Sequence, residues 1–105
     1  MVTEATIQEA VALLQRAAPG SEVIVFGSYA RGTQKEASDL DVLVIEPRVN
    51  GLGAEMARLW RVLRPLGIPV DLLVVSRKKF DRWRDVPGTV YFWAAREGRV
   101  FDAPA

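Results

Sequence analysis

Hydrophobic positions recur along this chain with two periods, and the changes of period mark where helices give way to strands. Ile7, Val11, Leu14 and Ala18 fall three to four residues apart, on one stripe of a helix. Thr6-Ile7-Gln8-Glu9 has the form of a capping box for its start, and Pro19-Gly20 stops it. Glu22 to Phe26 and Leu40 to Ile45 are β-rich apolar runs that predict two strands, joined by a loop or short helical turn punctuated by Gly32. Leu52, Met56, Leu59, Trp60 and Leu63 restore helical spacing over residues 52–65, ended near Pro65-Leu66-Gly67. Pro69 to Val75 predicts a third strand, apolar on both faces apart from Asp71 and therefore central or covered on both sides. Ser76 can cap a short helix through Trp83, Thr89 to Glu97 reads as a last helix with Gly98 as its C-cap, and Arg99 to Asp102 as a terminal strand. This order predicts an α/β or α+β fold, a mixed β-sheet with flanking helices, in one domain over residues 1–105.

Acids interrupt this pattern at Asp39-Leu40-Asp41. Alternation along a strand projects Asp39 and Asp41 from one face, Cα atoms roughly 6.5 to 7 Å apart, with Leu40, Val42 and Val44 on the other. Carboxylates held side by side repel, and a hard divalent ion such as Mg²⁺ or Mn²⁺ removes the conflict. A solvated loop is the plain alternative for such a pair. Asp71 weighs against it, because a lone carboxylate buried in an apolar strand is costly unless a cation meets it. If the two strands are neighbours, Asp71 completes a cluster of three acids. Gly27-Ser28 ends the first strand, where backbone N–H groups and a hydroxyl can meet a phosphate, although an ordinary turn with a helix cap has the same sequence. Arg31, one turn beyond Ser28, could fork onto phosphate oxygens, whereas Lys35 reads as surface.

Composition narrows the chemistry. The chain has no cysteine and no histidine, which removes disulfides, zinc sites of the usual kind, Ser-His and Cys-His pairs and imidazole acid–base catalysis. Any catalysis must run on carboxylates, hydroxyls, amines or guanidinium groups. A formal net charge of +1 argues against nucleic acid or an anionic membrane as a partner of the whole domain, though not against a local patch. No apolar run reaches membrane-spanning length, and MVTEATIQEA carries acids where a signal peptide would be basic and then apolar, so a cytoplasmic location is expected.

Gly27-Ser28, ten intervening residues, Asp39-Leu40-Asp41 and a later strand Asp71 together resemble the nucleotidyltransferases related to DNA polymerase beta, kanamycin nucleotidyltransferase and poly(A) polymerase. More narrowly, GSYARGTQKEASDLDVLV is similar to the minimal, MntA-like members, and the PVDLLVV strand and AAREGRVF ending extend the resemblance over nearly the whole chain. The resemblance implies that Asp39 and Asp41 bind metal ions, that Asp71 is a third carboxylate near the attacking hydroxyl, and that Gly27 and Ser28 hold the β and γ phosphates. It implies a Mg²⁺- or Mn²⁺-dependent enzyme that uses ATP or another nucleoside triphosphate, transfers a nucleoside monophosphate to a hydroxyl and releases pyrophosphate. It also implies a toxin–antitoxin module in which the chain is the antitoxin of a helical HEPN-type protein. Larger relatives recognise the acceptor with further domains, so the acceptor pocket is expected from a partner or a second copy. A contact-only antitoxin and a small-molecule transferase of the antibiotic-modifying type are the alternatives.

Aromatic residues crowd the second half, and Tyr91, Phe92 and Trp93 span about 200° of a helix, so they cannot all face one core stripe. Partner contact and wrapping into a small core both remain open. Arg58, Arg61 and Arg64 form a row that reads as a solvated helix face, with a phosphate or RNA contact as the lesser reading.

Overall fold

A computed structural model of the chain describes residues 1–104. Its first helix, α1 (Glu4–Ala17), starts earlier than the capping-box reading places it. Thr3 is the N-cap: its backbone is extended, and its hydroxyl accepts the Thr6 backbone N–H at 3.2 Å. Thr6 already lies inside the helix. Both threonines have the right side chain, and the backbone conformation decides between them.

Four strands, β1 (Glu22–Phe26), β2 (Leu40–Glu46), β3 (Val70–Ser76) and β4 (Arg99–Phe101), form one sheet in the order β3-β2-β1-β4. β1 is antiparallel to β2 and β4, while β2 and β3 are parallel, so the sheet is mixed as expected. The parallel pair needs a crossover, supplied by α3 (Leu52–Leu63) and a 3₁₀ turn over Arg64–Leu66. A single turn, α2 (Ser28–Arg31), links β1 toward β2. Helix α4 (Arg77–Trp83) is capped by the Ser76 hydroxyl on the Lys79 N–H, and α5 (Val90–Glu97) by the Thr89 hydroxyl on the Phe92 N–H.

Alternation along the strands makes two cores. On one face Val23, Val25, Val42, Val44, Leu72 and Val74 pack with Ile7, Val11 and Leu14 of α1 and Leu59 and Leu63 of α3. On the other, Ile24, Leu43, Ile45 and Val75 meet Phe80 of α4 and Ala94 of α5. Arg58 does more than a solvated face requires: it forks onto Glu55 and donates to the Ala17 carbonyl at 2.9 Å, tying α3 to the end of α1. The three consecutive aromatics diverge. Tyr91 meets Phe80 edge-on at 6.3 Å, whereas Trp93 stays 49% exposed.

β3 lies at the edge of the sheet. Its apolar character comes from cover on both faces, since Leu72 and Val74 join one core and Leu73 and Val75 the other. At this edge Asp71 is exposed, so the burial cost that argued for a cation there does not arise. Gly98 does follow α5, but with extended backbone, φ −73°, rather than the left-handed cap. A Cβ at Gly98 would strike Ile24 and the Ala94 carbonyl, so close packing is what requires glycine. Among the described residues no helix is long and apolar enough to cross a membrane.

Candidate active site

The register of the sheet gathers the acids. Asp41 pairs with Phe26 at the end of β1 on one side and with Asp71 near the start of β3 on the other. Parallel neighbours lie about 4.8 Å apart with side chains on a common face. Asp39 precedes β2 rather than lying in it, and is exposed like Asp71. Asp41 is half-buried, and its carboxyl is held above the ordinary carboxylate range, first by burial and then by the charges of Asp71 and Asp39, with Arg31 offsetting part of this. The three predicted acids thus share one end of the sheet and one electrostatic field.

Gly27 is fitted to that cluster. Its φ of 70° and ψ of −149° belong to a region that is essentially glycine's alone. A Cβ there would also collide with the Asp41 carboxylate, so the missing side chain is the space the acid occupies. The Gly27 carbonyl accepts the Ala30 and Arg31 N–H groups at 3.1 Å, and the turn has no side-chain cap, which leaves the Ser28 and Tyr29 N–H groups without an intrahelical acceptor. Tyr29 anchors the turn: its ring is buried, and its hydroxyl accepts the Val2 backbone N–H at 2.9 Å.

Arg31 lies one turn past Ser28, but its guanidinium is drawn toward α5, 3.3 Å from the Glu97 carboxylate. Both groups are solvent-accessible, and such pairs contribute about 1 kcal/mol or less, so the arginine can be drawn away by a stronger anion. The Glu97 partner is 66 positions distant and carries no sequence signal. Asp71 also lines a groove of about 350 Å³ with Met56, Ala57, Trp60, Val70 and Leu72, in which Trp60 is 49% exposed.

The donor set suits a hard divalent ion: carboxylate oxygens only, two of them on in-register strands, with a charge conflict at Asp41 that a cation would relieve. As the side chains stand, no three acids among the described residues converge closely enough to hold an ion, so chelation requires the exposed Asp39 and Asp71 to rotate inward.

Residues 7–96 match the nucleotidyltransferase domain family. The chain belongs to that family. It is therefore a transferase enzyme of the nucleotidyltransferase class, and solved structures agree. A proposed minimal nucleotidyltransferase is 31% identical, with a TM-score of 0.64 over 94% of this chain and 95% of that one. A proposed nucleotidyltransferase from Sulfolobus solfataricus is 28% identical, with a TM-score of 0.60 over 74% of this chain and 70% of that one. A toxin–antitoxin structure with AMP-PNP shares the fold at 20% identity, with a TM-score of 0.61 over 89% of this chain and 70% of that one. A mutant of the MntA-HpeT toxin–antitoxin is equally similar in fold at 18% identity. No curated protein sequence matches the chain.

Proposed function

We propose that this nucleotidyltransferase domain transfers AMP from ATP to a hydroxyl on a protein partner, releasing pyrophosphate, and acts in the cytoplasm as the antitoxin of a HEPN-type helical toxin. The observation that carries the chemistry is the register Asp41 to Asp71 beside a glycine turn shaped around the Asp41 carboxylate. The toxin–antitoxin relatives of the same fold, one with a bound ATP analogue, support the biological setting.

In this reading the Ser28 and Tyr29 N–H groups and the Ser28 hydroxyl hold the β and γ phosphates, and Gly27 lets them approach. Arg31 leaves Glu97 to neutralise phosphate charge. Asp39, Asp41 and Asp71 would hold Mg²⁺ or Mn²⁺, which would neutralise charge on the departing pyrophosphate and make the acceptor hydroxyl more acidic. Asp71, at the open edge of the sheet, orients the acceptor hydroxyl and takes its proton as the oxygen bonds the α-phosphorus and the bond to pyrophosphate breaks.

The test is transfer of label from [α-³²P]ATP to a co-expressed HEPN-type partner. Wild type labels the partner, and Asp39→Asn and Asp41→Asn do not. Equal labelling by all three would overturn the roles given to these acids. The exposed rings of Trp60 and Trp93, each 49% accessible, favour a second reading in which contact alone neutralises the partner. Neutralisation that survives loss of both acids selects that reading.

A further inference from the structure

Residues 77–84 concentrate five cations, Arg77, Lys78, Lys79, Arg82 and Arg84, against the single acid Asp81, in a chain whose net charge is only +1. Arg77 is engaged by Glu22 at 3.4 Å and Asp81 at 3.3 Å, and Arg84 lies over the Phe80 ring at 5.0 Å. Lys78, Lys79 and Arg82 make no ion pair among the described residues, and the Lys79 ammonium lies 6.0 Å from the centre of the Tyr91 ring. With Ser76 and Trp83 they line one cavity of about 310 Å³. Like charges at helical spacing repel by a few tenths of a kcal/mol per pair, and an anion seated among them reverses the sign. Trp83, 39% exposed, stands at the same cavity and sets an aromatic side chain beside the cations.

We infer that this cavity is a nucleotide-binding site separate from the reaction centre, taking a phosphate on Lys78, Lys79 and Arg82 and a planar base on Trp83. Cations that follow a phosphate beside an aromatic ring that stacks a base are the means by which proteins hold single strands without reading sequence. The Ser76 hydroxyl accepts the Lys79 N–H and retains its own proton to donate to a phosphate oxygen. Ser76 ends β3, five residues past Asp71 and thus about 16 Å from it along the strand, too far to share one bound nucleotide's reacting phosphate. The ligand is either a free nucleotide or a stretch of single-stranded nucleic acid, both of which present this chemistry.

Fluorescence anisotropy of a labelled single-stranded oligouridylate of about eight nucleotides, at about 50 mM salt without Mg²⁺, tests the site. Binding is expected, with log affinity falling against log salt at a slope of about −2 for three cations. The double variant Lys78→Glu, Arg82→Glu should weaken it at least tenfold, Trp83→Ala at least threefold and Trp83→Phe little. Asp41→Asn should bind like wild type, which separates this site from failure of the reaction-centre assignment. UMP that competes as well as the oligomer identifies a free nucleotide as the ligand, and a large advantage for the oligomer identifies a strand. Absence of binding to both, or binding untouched by the charge variant, overturns the inference. So does equal competition by a glutamate-rich peptide together with no effect of Trp83→Ala. The charge variant alters only exposed side chains, so it remains informative if Trp83→Ala fails to fold.

Discussion

The two ends of β2 carry the same difficulty and resolve it differently. Asp41 at its start and Glu46 at its end both have carboxyls held above the usual range, and burial is the first cause at each. Glu46 has a local answer. Its carboxyl is pushed up to about 7 and keeps a proton against Glu55, while Glu55 is held down to about 2 by the forked bond from Arg58. One proton and one arginine settle that pair. Asp41 has no such pairing: the charges of two further acids act on it, and Arg31, which offsets part of their effect, is itself bound to Glu97. An acid pair with its own counter-charge needs no ion, whereas the charge conflict at Asp41 is one that a cation would relieve.

Removing the acid at the unsettled end should have the largest effect. Asp41→Asn is expected to lower nucleotide transfer about a thousandfold, measured as initial rate at saturating ATP. Gly27→Ala should follow, since it forces a left-handed φ and a collision with Asp41 at once: about 2 to 3 kcal/mol of stability, read from urea denaturation. Gly32→Ala is the comparison, for Gly32 has φ 74° with nothing near a Cβ, and should lose only about 1 kcal/mol.

The settled end should appear in the pH dependence of stability. Between about 4.5 and about 7 the folded chain keeps a proton on Glu46 that the unfolded chain has released, so stability falls as pH rises through that window. Glu55 acts in the opposite sense, its contribution present above about 4.5 and lost as pH falls toward about 2. Glu46→Gln is expected to flatten the upper slope and gain on the order of 1 kcal/mol at pH 8, and an unchanged slope would show that Glu46 holds no proton. The smallest effect is the response to metal. Mg²⁺ should raise the melting temperature of wild type by a few degrees and that of Asp71→Asn by less, and equal rises would exclude Asp71 from the cluster.

Much of this arrangement was legible in the residues. Alternation placed Val42 and Val44 on one face and Asp41 on the other, and the break in an apolar run marked Asp71. Strand order was not legible, because an apolar run reports cover on both faces equally well whether a strand is central or at the edge, as β3 shows. That ambiguity inverted the argument at Asp71, an exposed acid rather than a buried one. Arg31 and Glu97, or Glu46 and Glu55, meet only through the fold, and no local period encodes contacts across such separations. The fit of Gly27 to Asp41 is equally invisible in a linear reading, where the glycine explains itself as a turn.

The bond from the Val2 N–H to the Tyr29 hydroxyl joins the beginning of the chain to the turn that carries Ser28. A ligand that stiffens the turn must also lower the frequency with which that bond opens. Amide hydrogen exchange at Val2 should therefore slow if ATP binds at this turn, which makes a residue far along the chain from the acids a reporter on it.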